Sequence, residues 1–319
     1  MKNPELTVLI PFLNESENIE RLVSKLSDFF TNEFKILTEI IFIDDGSQDD
    51  SVALLKAQKH QGYEAKIIKL SKNYGSHAAL RAGTRKASGK WIATVYADLQ
   101  DPLSVLKELY QSCQEGYQIA WGSRESTEAG FFEKLFSNFY AFLMRKFAFP
   151  NYPKKNFDVL MFGQNVVAEL NKNIEANSSF FLQIFSMGFS QTFVSYKKEE
   201  RKAGKSKWTL SKKIKLFIDS FVAFSYFPIR MVAIMGIVFF VLGTFWTAYI
   251  IGRELLVGDL ESGWPALISI LMIGFGVTNI GLGIIAEYLW RTLDASRHRP
   301  VFIIEDVIQI EAQVKLKND

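Results

Sequence analysis

A single cysteine, Cys113, leaves this 319-residue chain no intramolecular disulfide and no multi-cysteine metal site. Glycine-rich phosphate cradles are missing as well. No G-x-G-x-x-G occurs, so a nicotinamide-binding Rossmann domain is poorly supported. "AGKSKW" (203–208) resembles the end of a P-loop, but Glu199 stands where the first glycine is required. "GTRKASGK" (83–90) fails in turn, because Trp91 follows in place of Ser or Thr. Nor is there a strong excess of one charge: a formal net charge of +3 gives no argument for a nucleic-acid partner. The opening "MKNPELTVLIPFLNE" has a short apolar run that ends in Asn-Glu without a small-residue cleavage site, which predicts a first strand and not a signal peptide.

What the chain does have is apolar length. Hydrophobic residues make up 48% of it, and its 28 phenylalanines fall mostly after residue 130. Residues 229–251 carry one charge, Arg230, and residues 264–286 carry none. Each run is long enough to cross a hydrocarbon core of ~30 Å as a helix, and soluble helices rarely go so far without a polar face. Lys205, Lys207, Lys212, Lys213 and Lys215 precede the first run, Arg230 stands at its very start, and Arg291, Arg297 and Arg299 follow the second. The connecting loop, 252–263, has Glu254, Asp259 and Glu261 against one arginine. Positive flanks stay inside, so the expectation is a cytoplasmic membrane protein with two spans, both termini cytoplasmic and a short acidic loop outside.

The first 125 residues alternate strand and helix signals. Strand-like runs at 6–12, 39–44, 65–71, 91–97 and 118–123 are separated by helix-like stretches at 16–30, 49–60, 76–87 and 104–114. Near-continuous apolar strands between helices predict a mostly parallel sheet covered on both faces. Ligands of such sheets bind beyond the carboxyl ends of the strands. Those ends read Asn14-Glu15, "DDGSQDD" (44–50), Lys72-Asn73, "DLQD" (98–101) and Ser123-Arg124. Singly each is a plausible solvated loop; together they describe one polar rim.

Residues 131–200 look less regular. Within them Asp158 is isolated among apolar neighbours in "NFDVLMF", so it is either paired to a base or functional. From Trp208 to Phe227, Leu210, Ile214, Phe217, Ile218, Phe221 and Phe224 recur at helical spacing with lysines largely off the stripe. That pattern predicts a juxtamembrane helix lying in the headgroup plane, or else one packed on the soluble domain. Arg201, Lys202, Lys205 and Lys207 form a basic loop around Gly204, suited to anionic lipid or to one lipid phosphate.

In this order the motifs resemble a known family. "PFLNE" (11–15), "DDGS" (44–47) and "ADLQDP" (97–102) are similar to signature stretches of family 2 glycosyltransferases. "LSKNYG" (70–75), "GSR" (122–124), Asp158, "GKSKW" (204–208), "FSYFPIR" (224–230) and "EYLWR" (287–291) look like the polyisoprenyl-phosphate glycosyltransferases. The resemblance covers essentially the whole chain. It implies a mostly parallel α/β nucleotide-sugar-binding domain of GT-A type, followed by amphipathic interfacial helices and two transmembrane helices. The implied divisions are a catalytic domain at 1–200, a basic loop and juxtamembrane helix at 201–228, spans within 229–290, and a cytoplasmic tail at 291–319.

The resemblance further implies the roles of particular residues. Pro11, Asn14, Glu15, Asp44, Asp45, Ser47 and Asp98 would hold the donor, and Asp98 and Gln100 would ligate Mg2+ or Mn2+. Ser123, Arg124, Arg201 and Lys205 would face the acceptor phosphate. Asp158, Asp98 and Arg201 would act at the reacting centre. The family commonly has another acid two residues before Asp98, where this chain has Tyr96. Asp101 is then a supporting charge, or an acid at the start of the helix that "DPLS" opens. His77 and Cys113 read as structural. The implied reaction is inverting transfer of one sugar, with a UDP-sugar such as UDP-glucose favoured, to polyprenyl (undecaprenyl) phosphate. The expected partners are donor, lipid and membrane, and a homo-oligomer is compatible with them. Two alternatives stay open: a processive polysaccharide synthase, which would need a Q-x-x-R-W motif that is absent, and a nucleotide- or lipid-binding pseudoenzyme that has lost catalysis at Tyr96.

Overall fold

A computed structural model describes residues 3–124, 131–153, 157–175, 178–197, 224–225, 227–257, 263–297 and 299–310, with only the backbone of Asp158 described. Arg201, Lys205 and nearly all of the expected juxtamembrane helix lie outside the described residues.

The early strands form because their side chains are apolar on both faces and helices cover both. β1 (Leu6–Phe12) and β2 (Thr38–Asp44) are buried at every position. β3 (Glu64–Leu70), β4 (Trp91–Thr94) and β5 (Ile119–Arg124) follow. Between them run α1 (Ser16–Asp28, prolonged by a π turn), α2 (Ser51–Ala57), α3 (Ser76–Lys86) and α4 (Val105–Gln114). α1 turns Ile19, Leu22, Val23 and Leu26 onto one sheet face, the i, i+3, i+4 stripe of an amphipathic helix. α3 covers the other face with Ala78, Ala79, Ala82 and Gly83. These small residues let it sit close: a Cβ at Gly83 would come within 2.9 Å of Ile43 Cδ1.

The stretch expected to be irregular is regular. It contains α5 (Phe131–Phe147), β6 (Phe157–Gly163), α6 (Gln164–Lys172), α7 (Phe180–Ser186) and β7 (Gln191–Tyr196). Its phenylalanines build a second core layer in which Trp121 meets Phe157, Phe185 and Phe193. Two long helices, α8 (Phe227–Val257) and α9 (Trp264–Ser296), precede a last strand, β8 (Ile304–Ile310). The strand order is β7-β5-β6-β4-β1-β2-β3-β8, with β6 and β8 antiparallel to their neighbours and the other six strands running one way. The sheet is therefore mostly parallel.

α8 and α9 are long and apolar enough to cross a membrane, and almost none of their apolar windows is buried. Phe245 is 72% exposed and Ile237 63% exposed, so these helix faces are not packed in this chain's own core. The sheet domain is joined to their base. The Phe147 ring at the end of α5 stacks on Phe227 with centroids 3.7 Å apart. Ser225 Oγ donates to the Phe147 carbonyl at 3.1 Å, and the Tyr288 hydroxyl of α9 donates to the Ser225 carbonyl at 2.9 Å.

Candidate functional site

Six parallel strands direct their carboxyl ends to one edge of the sheet. Along that edge lie Leu13–Ser16 after β1, Asp44–Ser51 at β2, Ser71–Gly75 after β3, Val95–Asp101 after β4, Arg124 at the end of β5 and Tyr196 at the end of β7. β6 is antiparallel, so its beginning and not its end reaches this edge. Phe157 pairs with Ser123, which brings the backbone of Asp158 to the rim. A lone acid with no strand before it in the sequence is explained by that reversal.

The first three loops are tied together by their own polar side chains. The Asn14 N–H donates to Ser47 Oγ at 2.9 Å, and Asn14 Oδ1 accepts from the Gln48 N–H at 2.8 Å. Asn14 holds a left-handed φ of 50°, a conformation that asparagine tolerates better than most residues. The Glu15 N–H donates to Ser51 Oγ at 2.9 Å, and Glu15 Oε2 accepts from Asn18 Nδ2 at 2.7 Å. Gly46 is required by close approach: at φ 80° its missing Cβ would lie 2.7 Å from the Asn73 nitrogen.

The two adjacent acids do different things. Asp44 is fully buried; its Oδ1 accepts from the Ser47 N–H at 2.8 Å, while Oδ2 has no partner. A buried carboxylate oxygen left bare costs free energy. Asp45 accepts from the N–H groups of Tyr74 at 2.7 Å and Gly75 at 2.9 Å, fastening the loop after β3. Burial pushes the Asp45 carboxyl up to about 6; the Tyr74 and Gly75 N–H groups oppose that rise and the Asp44 charge adds to it. Pro11, buried within β1, adds no polar atom beyond its carbonyl.

The fourth loop carries the aspartates of "YADLQDP". β4 ends at Thr94, three residues short of the expected strand, because its partner β1 pairs with it only through Leu9. The chain then turns through Leu99, at a left-handed φ of 50°. Asp98 and Gln100 are half-buried on this turn, with Asp98 Oδ1 accepting from the Gln100 N–H at 3.3 Å. Tyr96 is half-buried and packs against the second core layer. Among the described residues no three His, Cys, Asp or Glu side chains come together to hold a metal. An ion held on this turn, as the sequence leads one to expect, would take one oxygen from Asp98 and one from Gln100. That donor set fits a hard ion such as Mg2+ or Mn2+ that keeps waters and takes its other oxygens from phosphate.

Asp101 corrects the helix-start expectation. α4 begins only at Val105, and the Asp101 side chain turns inward, 6% exposed. Its Oδ1 accepts from the Tyr196 hydroxyl at 2.8 Å and lies 3.4 Å from Arg124 Nε. Arg124 Nε in turn donates to the Tyr196 oxygen at 3.2 Å. A tertiary partner has overridden the local preference for an acid in the first helical turn. Ser123 is buried beside Arg124. Tyr196 has no counterpart in the sequence reading; the alternation of "QTFVSY" (191–196) was its only signal.

His77 and Cys113 stand apart from this chemistry. Burial drives His77 down to about 4, with Arg81 adding to the fall, and its Nδ1 accepts from the Phe180 N–H at 3.3 Å. Burial pushes the Cys113 thiol up to about 12, which makes it unreactive at neutral pH. Arg81, buried in α3, was also invisible in sequence. It donates to the Ser178 Oγ at 3.0 Å and to Gln183 Oε1 at 2.9 Å, pinning the start of α7 to α3.

The family described as Glycosyl transferase family 2 matches residues 7–168. An uncharacterized glycosyltransferase of Synechocystis sp. is 31% identical over 311 residues, covering 96% of each chain. The bactoprenol glucosyl transferase of Shigella phage SfV is 31% identical over 307 residues, covering 95% of this chain and 98% of that protein. The undecaprenyl-phosphate 4-deoxy-4-formamido-L-arabinose transferase of Yersinia pestis is 27% identical over 315 residues, covering 96% and 94%. Among solved structures, a mannosyltransferase of Pyrobaculum calidifontis in complex with GDP-mannose and Mn2+ aligns over 92% of this chain and 88% of its own at 16% identity and a TM-score of 0.45, too loose a likeness to carry an argument about residues.

Proposed function

The chain belongs to glycosyl transferase family 2, and from that premise we propose that it moves one sugar from a nucleotide-sugar donor to polyprenyl phosphate at a membrane surface. The observation that carries the reading is a single polar rim in the same chain as two exposed apolar helices. Similarity that spans those helices as well as the sheet supports the lipid acceptor, since relatives named for bactoprenol and undecaprenyl phosphate match over 95–96% of this chain.

The donor's nucleoside would lie across Pro11, Asn14, Glu15, Asp44, Asp45 and Ser47, with the bare Asp44 oxygen accepting from it. Asp98 and Gln100 would hold Mg2+ or Mn2+, which when bound supplies charge neutralisation to the diphosphate. Ser123 and Arg124, with Arg201 and Lys205 from the basic loop, would receive the acceptor phosphate. That phosphate monoester is largely dianionic at neutral pH, its second pKa being about 6. It therefore needs little help from a base. An acceptor oxygen forms the new bond to the anomeric carbon while the bond to the nucleotide diphosphate breaks, and the leaving group departs with the electron pair. In-line displacement inverts the configuration. The residues' task is alignment and neutralisation of two anions, for which arginine's forked donors suit phosphate oxygens. Asp158 would orient a basic residue beside the reacting carbon. UDP-sugars, UDP-glucose first, are the favoured donors.

The test is a donor panel. Purified full-length protein in detergent should consume one nucleotide sugar only when undecaprenyl phosphate and a divalent ion are both present. Tyr96 in the place of a common acid favours a second reading, a binding subunit without turnover. Nucleotide binding indifferent to Mg2+ and Mn2+, with no turnover across the panel, would establish that reading in place of the first.

Asp45 gives the donor reading a pH signature. A ribose or base donor group binds the ionised carboxylate, so protonation of the free protein competes with the nucleotide. With a carboxyl at about 6, nucleotide affinity should be flat above pH 7 and fall about tenfold between pH 7 and pH 5. Titration calorimetry of wild type against Asp45→Asn separates this from protonation of the nucleotide itself. The ratio of the two affinities should carry the tenfold change, and a constant ratio would remove Asp45 from the donor site.

A further inference from the structure

We propose that Tyr196 is a positioning residue for the acceptor step: its phenol locks Asp101 and Arg124 into one unit, coupling the loop that bears Asp98 and Gln100 to the arginine that meets the acceptor. The inference rests on the polyprenyl-phosphate reading above and deepens it.

Three observations converge. Tyr196 and Asp101 are 5% and 6% exposed, so their 2.8 Å hydrogen bond is made out of water. A carboxylate so buried is costly unless paired, and here the phenol and Arg124 Nε both face the same oxygen. Second, the sheet register sets Arg124 directly opposite Tyr196 on adjacent parallel strands, so the contact follows from β5–β7 pairing. Third, the neighbouring "GSR" glycine makes room for the ring. A Cβ at Gly122 would come within 3.0 Å of Tyr196 Cε1 and 3.3 Å of Val159.

The physical consequence is orientation. A guanidinium is a planar fork, useful to a phosphate only when its plane is aimed. Holding Nε by a phenol and a carboxylate fixes that plane. Because Asp101 lies in the same turn as Asp98 and Gln100, any shift of the donor-side loop is transmitted to Arg124. An error of about 1 Å in such an alignment costs on the order of a hundredfold in rate.

The experiment compares wild type with Tyr196→Phe, which keeps the ring and removes the hydroxyl, and with Asp101→Asn, which weakens the same clamp from the other side. In full-length protein the expected result is an acceptor KM raised about tenfold and an unchanged donor KM, with a melting temperature lowered by a few degrees because a buried group loses a partner. In an Arg124→Ala background, Tyr196→Phe should change the acceptor KM no further. A second readout needs no acceptor: phenylglyoxal modification of Arg124, followed by peptide mass spectrometry, should be several-fold faster in both variants. An unchanged Arg124 modification rate overturns the clamp. An unchanged acceptor KM, or additive effects with Arg124→Ala, overturns its role in the acceptor step. A wild type inactive on undecaprenyl phosphate overturns the functional reading and the acceptor role with it, while the modification rates still decide the clamp.

Discussion

Asp98→Asn should lower turnover with undecaprenyl phosphate by about 10³-fold and abolish the response to Mg2+ or Mn2+. The substitution is nearly isosteric. Its side-chain oxygen can still accept from the Gln100 N–H, the contact that Asp98 Oδ1 makes at 3.3 Å, so the turn through Leu99 should survive. What is lost is one negative charge from the turn proposed to hold the ion, where among the described residues no three His, Cys, Asp or Glu side chains come together. Steady-state kinetics across a metal titration, with a melting curve as control, reads the result. Turnover within tenfold of wild type, still stimulated by metal, would remove Asp98 from the metal site. The companion Tyr96→Asp supplies the acid that the family resemblance implies at this position. The concentration of Mn2+ for half-maximal activity should then fall about tenfold, in line with the usual weight of one ligand-shell group.

The core of this site was readable because parallel sheets leave a plain trace. β1 was legible to the residue, and β2, β3 and β5 to within one. Buried strands that are apolar on both faces announce themselves, and their ends then follow. The reversals were harder. β6 enters the sheet backwards, so Asp158 reached the rim from a strand's beginning, where the rule about carboxyl ends does not look. β7 hid in a Phe-rich stretch because its partners are aromatic: Phe193 stacks on Trp121, and the alternation of "QTFVSY" is too short to stand out among them. Asp101 had two readings in the sequence, a supporting charge or an acid at a helix start, and only the second fails. Pro102 and Ser104 after an acid look like a helix start, but the helix begins later and Tyr196, 95 residues away, claims the carboxylate. Arg81 and its partners Ser178 and Gln183 could not be paired without the fold. Local signals place elements; they do not say which distant polar groups will meet.

A cysteine at position 262 (S262C) should be labelled by a membrane-impermeant maleimide in intact cells, and one at position 306 (D306C) only after the membrane is opened. The contrast should be essentially complete, and native Cys113, buried and with its thiol pushed up to about 12, should stay silent. The reason lies in β8. It pairs antiparallel with β3 from Ala65–Ile310 to Leu70–Ile304, and the Ser71 N–H donates to the Ile303 carbonyl at 3.1 Å. Phe302 is buried with the core at 7% exposure. The chain thus leaves the sheet after β7, runs through α8 and α9, and returns to the same sheet. If these helices cross a bilayer, they cross it an even number of times, whatever the flanking charges prefer. The charges then choose which side: Arg230 in the first turn of the pair and Arg291, Arg297 and Arg299 near its end favour the cytoplasm for the sheet. Labelling of D306C from outside would put β8 there, and its hydrogen bonds to β3 would carry the whole rim with it. Asp98, Gln100 and Arg124 would then face away from the cytoplasmic pool of nucleotide sugars, and the proposed reaction would have no donor.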